Sequence, residues 1–322
     1  MKTNIKKTLI TLIFMILALS FLRYLLLFLV SLNISNTIVV NDQNQLLSYN
    51  CNNKTTKVIY KLSGYGTQSI YGQDISNKSL YISYGELTDD FNSVYSLLKI
   101  NMNTQIIDTL IKQSRYNINE IAVSPDSQNI ALLLLGLERP MKKRILFWDI
   151  EGYDYPYIKC AIYNLREHSF RILPDSCFSW SKPSWAKDGN SLWLSTFDGN
   201  IINIDLNGNI INQSFKGYSP ALSNNGKYLA YIKGRTIYIY NLKKKNTKTV
   251  ASYYSFFIPH RYPLVYITWS PNDEYILYQG QHILSYITGW SSYYVATKAN
   301  GLSLPQIIQG VTSEGFGAVW VP

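Results

Sequence analysis

From about residue 37 onward the chain alternates short apolar runs with polar turns, and the alternation repeats. Four segments share one pattern: Val123-Ser-Pro-Asp-Ser-Gln-Asn-Ile-Ala131, Trp185-Ala-Lys-Asp-Gly-Asn-Ser-Leu-Trp193, Leu222-Ser-Asn-Asn-Gly-Lys-Tyr-Leu-Ala230 and Trp269-Ser-Pro-Asn-Asp-Glu-Tyr-Ile-Leu277. Each reads as the end of one strand, a tight turn and the start of the next. Pro pre-sets φ in such a turn, Asp or Asn bonds its own backbone, and Gly tolerates φ > 0. A weaker copy runs from Gln73 to Tyr81.

After each turn the same order recurs. Third strands are predicted at Tyr95–Ile100, Ala161–Leu165, Ile202–Leu206 and Ile237–Leu242, and fourth strands at Ser169–Leu173 and Thr247–Val250. With Ser76, Asp126, Asp188, Asn225 and Asn272 as equivalent positions, the unit recurs at spacings of 50, 62, 37 and 47 residues. Four strands per unit at this period predict β-propeller blades. Val319-Trp320-Val321-Pro322 matches Thr268-Trp269-Ser270-Pro271, so the chain ends on a first strand. Thr37–Val40, Leu46–Tyr49 and Lys57–Leu62 read as second, third and fourth strands without a first. Joining them closes the ring and removes its open edges. The expectation is an all-β chain: a six-bladed propeller over 35–322 whose N- and C-terminal strands share the closing blade, preceded by a membrane segment in 1–34.

That segment is Thr8 to Leu32, 25 residues whose only charge is Arg23, behind Lys2, Lys6 and Lys7. Each Leu, Ile, Phe or Val favours insertion by ~0.3–0.6 kcal/mol, against a cost of ~2.5–3.5 kcal/mol for a central Arg. The apolar residues win. Cleavage after Ser20 would leave a greasy mature terminus from Phe21 to Leu32. A single-pass signal-anchor is therefore expected, with a cleaved signal peptide and secretion as the alternative. The lysines keep the N-terminus cytoplasmic, which places the propeller in the periplasm or at the cell exterior.

The Trp269–Leu277, Val123–Ala131 and Asp188–Trp193 segments resemble the WD40-like repeats of TolB-type propellers, found also in prolyl-oligopeptidase-type peptidases. The resemblance covers roughly residues 37–322 and implies the fold. TolB places an α/β domain before its propeller, where this chain has only a few residues between the predicted span and the first strand. The peptidases add a hydrolase domain. Neither family's activity carries over.

Composition adds a packed core, with 47% hydrophobic residues, 27 Tyr and 16% charged residues. The net charge of +10 is not a nucleic-acid signature, because Lys2, Lys6, Lys7 and Arg23 supply four of the ten. Lys243, Lys244 and Lys245 read as a solvated hairpin loop. Neither an RNA-binding motif nor zinc spacing appears, and no nucleic-acid partner is expected.

Candidate chemistry is thin. His168, His260 and His282 are the only histidines, and His168 reads as an exposed turn residue. Gly217-Tyr-Ser-Pro-Ala221 superficially resembles a nucleophile elbow, but register places Ser219 on a first strand. Glu86, Asp89 and Asp90 could hold Ca²⁺ in one loop, or simply be solvated. An oxidising compartment would allow one bridge between Cys160 and Cys177; three small buried or half-buried thiols, Cys51 included, are the plainer reading. The expectation names no catalytic residue, no resident metal and no cofactor.

Binding is the better prospect, because long loops at a propeller's mouth carry specificity. The 62-residue unit holds an insertion with Arg139, Lys142, Lys143, Arg144, Phe147, Trp148, Tyr153, Tyr155 and Tyr157. It suits a protein partner, an anionic envelope polymer or lipid headgroups, or it merely lengthens a hairpin. A second candidate loop carries Tyr253, Tyr254, Phe256, Phe257, Arg261 and Tyr262, and a third Tyr286 and Trp290. The sequence predicts a non-catalytic, membrane-anchored scaffold for a protein or envelope polymer. A propeller-type hydrolase or lyase using the central channel is the alternative. Oligomeric state is not encoded in any of these motifs.

Overall fold

The computed structural model describes residues 13, 15, 17, 18, 37–42, 45–61, 68–74, 78–87, 93–114, 116–135, 140–145, 148–153, 158–174, 181–252, 265–281, 292–301, 306–313 and 318–321. Among the described residues from 37 on, the regular elements are strands, which form six four-stranded antiparallel sheets and one two-stranded sheet. The first chain segment supplies β1 (Thr37–Asp42), β2 (Gln45–Asn50) and β3 (Thr55–Lys61). Next come β4 (Gln68–Asp74), β5 (Ser79–Leu87), β6 (Ser93–Asn101) and β7 (Ile107–Ser114). The following sheet is β8 (Asn117–Val123), β9 (Asn129–Leu135), β12 (Ile158–Asn164) and β13 (Ser169–Ile172), interrupted by the hairpin β10 (Pro140–Ile145) and β11 (Trp148–Tyr153). Then follow β14 (Ser184–Trp185), β15 (Ser191–Ser195), β16 (Asn200–Asp205) and β17 (Ile210–Lys216), and β18 (Tyr218–Leu222), β19 (Tyr228–Lys233), β20 (Thr236–Asn241) and β21 (Asn246–Ser252). The last are β22 (Val265–Trp269), β23 (Tyr275–Gln281), β24 (Ser292–Lys298) and β25 (Gln306–Ser313), and β26 (Ala318–Val321).

β26 pairs antiparallel with β1, Val321 opposite Thr37 and Trp320 opposite Ile38, so the two chain ends share one sheet in the order β26-β1-β2-β3. The first strands touch in a closed cycle: β4 with β8, β8 with β14, β14 with β18, β18 with β22, β22 with β26, and β26 with β4. Apolar clusters fill the six faces between neighbouring sheets. Val39 and Leu46 meet Leu80 and Ile82, and Tyr81 and Leu97 meet Ile130 and Leu132. Leu133 and Cys160 meet Leu192 and Leu194, and Trp193 and Ile201 meet Leu229 and Tyr231. Ile237 and Ile239 meet Ile276 and Tyr278, and Leu277 and Tyr294 meet Ile38 and Trp320.

Each sheet is thus covered on both faces, which is why middle strands such as β9 (Asn-Ile-Ala-Leu-Leu-Leu-Leu) and β15 lose the polar alternation of a half-exposed strand. Outer strands keep solvent contact: β13 is largely exposed, and Ile210 on β17 is 66% exposed.

The repeated turn forms as its chemistry dictates. The hydroxyls of Ser124, Ser223 and Ser270 donate to Asp126, Asn225 and Asn272 Oδ1, and accept the N–H groups of Asn129, Tyr228 and Tyr275. The Oδ1 atoms of Asp126, Asp188, Asn225 and Asn272 each accept the N–H two residues on. Ser127, Gly189, Gly226 and Asp273 close these turns at φ of 57°, 71°, 72° and 59°. At Lys243–Lys245 the hairpin turn is exposed, with Asn241 Oδ1 accepting the N–H groups of Lys243 and Lys244.

Glu86 lies on β5 opposite Val94, on a strand and not in the acidic loop the sequence suggests, because β5 pairs with β6 as far as Leu87; Asp89 and Asp90 lie outside the described residues. Cys160 is fully buried and its thiol is pushed up to about 12 by that burial; Cys177 lies outside the described residues. Of the expected membrane segment, Ile13, Met15, Leu17 and Ala18 are described, all helical and all exposed. Among the described residues no helix is long and apolar enough to cross a membrane.

Candidate functional site

The turn fixes a register that can be followed into the ring. Ser124, Ala186, Ser223 and Ser270 each bond, through their own N–H, to the carbonyl five residues later. Four residues back from each lie Glu120, Lys182, Ser219 and Tyr266, one level along four successive first strands, Lys182 standing two residues before β14. The backbone is irregular there. Pairing slips between Ile118 and Glu120, Tyr218 and Ala221, and Val265 and Ile267, and Ser219 and Tyr266 take φ of 53° and 64°. A bulge re-aims the side chain it carries. A bulky residue at positive φ costs on the order of 1–3 kcal/mol, and such strain gathers at functional positions.

Glu120 is fully buried, and neither carboxylate oxygen has a partner at ordinary hydrogen-bond geometry. Burial pushes its carboxyl well above the usual range; the Tyr266 side chain and the Lys182 ammonium oppose that shift without cancelling it. Lys182 is moved in the mirror direction, lowered by its own desolvation and partly restored by Glu120.

Above this level lies a cavity of about 420 Å³ bordered by five of the six first strands. Its walls include Trp185, Trp269, Trp320, Pro183 and Pro220; among the described residues its charged side chains are Lys182 and Lys187. The rim is the turn level, at Ser124, Pro125, Ser223 and Asn224. Asn224 and Asn225 are tied to the next sheet by Asp273, whose carboxylate accepts both their N–H groups. Trp185 and Trp269 fix neighbouring strands by donating their indole N–H to the carbonyls of Ala122 and Ala221, each at 2.8 Å. Trp320 holds the equivalent place and is 1% exposed, yet its indole N–H has no acceptor. Trp185→Phe and Trp269→Phe should therefore each cost about 1 kcal/mol more than Trp320→Phe, since only they lose a hydrogen bond. Urea midpoints of the three variants check this.

The described residues among the site candidates singled out from sequence do not line this cavity. β10 and β11 form their own two-stranded sheet, paired with none of the other six. Lys142 stands opposite Glu151 and Arg144 opposite Asp149 in the register, while Lys143 faces Ile150 and Ile145 faces Trp148. Two of the basic positions thus have acidic cross-strand neighbours, which sequence spacing does not reveal. Tyr153 ends β11 opposite Pro140. Arg139, Phe147, Tyr155 and Tyr157 lie outside the described residues, as do Tyr253, Tyr254, Phe256, Phe257, Arg261, Tyr262, Tyr286 and Trp290. His168 is exposed in its turn, with Nδ1 3.1 Å from the Tyr163 hydroxyl. Ser219 is on β18, a strand, so no nucleophile elbow exists there. Among the described residues no cluster of three or more His, Cys, Asp or Glu could hold a metal ion.

Comparison with solved structures matches this ring. TolB from Acinetobacter baumannii aligns over 89% of this chain with a TM-score of 0.62 at 13% identity. The fold is that of a TolB-type β-propeller. This chain covers 66% of that TolB's length. A putative TolB from Agrobacterium tumefaciens aligns over 85% of this chain and 88% of its own (TM-score 0.54, 9% identity). An oligogalacturonate lyase from Vibrio parahaemolyticus aligns over 82% and 74% (TM-score 0.51, 13% identity). No family model matches the sequence, and no curated protein does. At these identities the likeness is one of fold. Because the first strands touch one another in a closed cycle, they surround the axis of the ring, and the level of Glu120, Lys182, Ser219 and Tyr266 is a layer of that central channel, with the cavity at its turn-side mouth.

Proposed function

We propose that this chain is a six-bladed β-propeller, anchored by residues 8–32 and held outside the cytoplasmic membrane, that acts as a non-catalytic scaffold for a protein or envelope polymer. The observation that carries this reading is the β10–β11 hairpin. A middle pair of strands normally needs only a tight turn, and Leu135 and Ile158 are register partners at the very ends of β9 and β12. Between them the chain inserts 22 residues, which fold into a sheet of their own that adds no strand to the ring. Such an insertion serves recognition more readily than stability. The likeness to TolB-type propellers and the exposed apolar residues Ile13, Met15 and Leu17 support the remaining parts of the reading. The lyase neighbour is what favours the enzymatic alternative, with the channel as its site.

Because Leu135 faces Ile158, residues 136–157 can be replaced by Asn-Gly without disturbing the β9–β12 register. With a proximity-labelling enzyme fused after Pro322, the parent in its native membrane should mark a small set of envelope proteins or polymer-bound proteins that the replaced variant loses. An unchanged set would overturn the role of the hairpin, and turnover of a substrate by the variant would move the function to the channel.

A further inference from the structure

We propose that the turn end of the ring is a membrane-contact surface, which rests on the acidic headgroups of the bilayer holding residues 8–32 and turns the far end of the ring away from it. This rests on the anchored reading above and adds an orientation and a second partner, the lipid surface itself.

The orientation follows from where the chain enters. First strands end and second strands begin at the repeated turn, as β8 and β9 do on either side of Ser124. Third strands end and fourth strands begin at the same end, since Asn164 is the register partner of both Asn129 and Ser169. β1 is a second strand, and its first residue, Thr37, faces Val321 of β26 and Asn50 of β2. The chain therefore enters the ring at the turn end. Asn33 to Asn36 separate Leu32 from Thr37. That tether reaches at most ~18 Å from Leu32, and the headgroup layer takes up ~5–7 Å of it. Strands of six or seven residues, such as β19 and β9, span ~20–23 Å. What is left of the tether is shorter than one strand, so the far end of the ring cannot be the end against the bilayer.

The chemistry of the turn end agrees. Ile106 just ahead of β7, Phe170 on β13 and Ile210 on β17 stand where three neighbouring outer strands begin, and they are 60%, 46% and 66% exposed. Apolar side chains beside basic ones suit the headgroup boundary. In the turns around them, Lys54, Lys78, Lys187 and Lys227 are exposed, and Lys243, Lys244 and Lys245 stand exposed together. The aspartates of the turns are engaged at home: Asp126 and Asp188 accept N–H groups of their own turns, and Asp273 accepts those of Asn224 and Asn225. Glu167 and Glu274 are the other acids there. Each lysine held at an anionic bilayer strengthens attachment by about 5-fold. At the far end lie the strand ends Leu135 and Ile158, Ser252 and Val265, and Gln281 and Ser292. All three long connections singled out from sequence thus leave and re-enter the ring on the side turned away from the membrane, where a partner in the aqueous phase meets them.

The test uses the full-length protein reconstituted into vesicles of phosphatidylcholine and phosphatidylglycerol, with a lipid carrying a nitroxide on its headgroup as quencher. Single exposed positions carry a thiol-linked fluorophore in a Cys177→Ser background, the thiols of Cys51 and Cys160 being buried. Asn103→Cys and Lys244→Cys report on the turn end and Lys233→Cys on the far end. Quenching is expected at the first two positions and not at the third. Replacing Lys243, Lys244 and Lys245 together by Gln in the Asn103→Cys chain, or omitting phosphatidylglycerol, should lower its quenching by about 2-fold or more while the chain stays in the vesicles. Quenching at Lys233→Cys equal to that at Asn103→Cys, or at none of the three positions, would overturn the proposal and leave the anchor standing. Quenching that ignores both the lysines and the acidic lipid would overturn it as well. A chain that alkaline carbonate strips from the vesicles would overturn the anchored reading itself, and this proposal with it.

Discussion

Deleting residues 318–322 is expected to abolish cooperative folding of the whole ring. β26 is one short strand, but it is the first strand of the closing sheet and the contact between β22 on one side and β4 on the other. Its Trp320 is fully buried in a cluster with Ile38, Tyr275, Leu277 and Tyr294. Emptying that site alone by Trp320→Ala should cost about 3–5 kcal/mol, a large part of the ~5–15 kcal/mol that holds a typical domain together. The deletion goes further, because it also strips β1 of its partner from Thr37 to Val40 and leaves a raw sheet edge. The point variant should melt cooperatively at a lowered temperature by circular dichroism. The truncated chain should show no cooperative melt and should elute as aggregate in size-exclusion chromatography. A truncated chain that melts within a few degrees of the parent would show that the ring does not depend on its shared sheet.

The match of Val319–Pro322 to Thr268–Pro271 makes that closure legible in the sequence, because a first strand announces itself by the turn that should follow it. The repeat as a whole is legible for the same reason. Asp126, Asp188, Asn225 and Asn272 do local work within two residues of themselves, and local chemistry is visible in one dimension. The hairpin β10–β11 is legible as an insertion, but not as a sheet in which Lys142 meets Glu151, since that depends on a pairing register. The channel layer is hidden for a deeper reason. Glu120, Lys182 and Tyr266 come from three different blades and lie up to 146 positions apart in the chain. Nothing in the sequence near any of them marks a site. One signal is present: once the turns are aligned, the position four before each reads Glu, Lys, Ser, Tyr, a polar column on or just before the first strands. Counting back from the repeat would have found it.

That column makes stability depend on pH in a way a surface carboxylate would not. Burial raises the Glu120 carboxyl in the folded protein, so the native state keeps its proton to higher pH than the unfolded chain does. Stability is complete below the ordinary carboxylate range and is lost as pH rises through the native value of Glu120. Lys182 has the opposite slope further up: its folded pKa is lowered, so its contribution is complete only above the ordinary lysine range and is lost as pH falls through its native value. Glu120 thus contributes a loss of stability with rising pH between the ordinary carboxylate range and its native value. Glu120→Gln keeps the shape of the protonated acid and removes its titration. The variant is expected to lie within about 1 kcal/mol of the parent at pH 5, where both side chains are neutral, and to become the more stable of the two by about 1–3 kcal/mol at pH 9. Lys182→Met should do the reverse, steepening the loss, because Glu120 would then be ionised with the Tyr266 side chain as its remaining polar neighbour. Urea midpoints taken at half-unit pH steps for the three proteins decide it. Parallel curves for parent and Glu120→Gln would mean that water or a rearranged Lys182 solvates the carboxylate, and the channel layer would then be an ordinary ion pair.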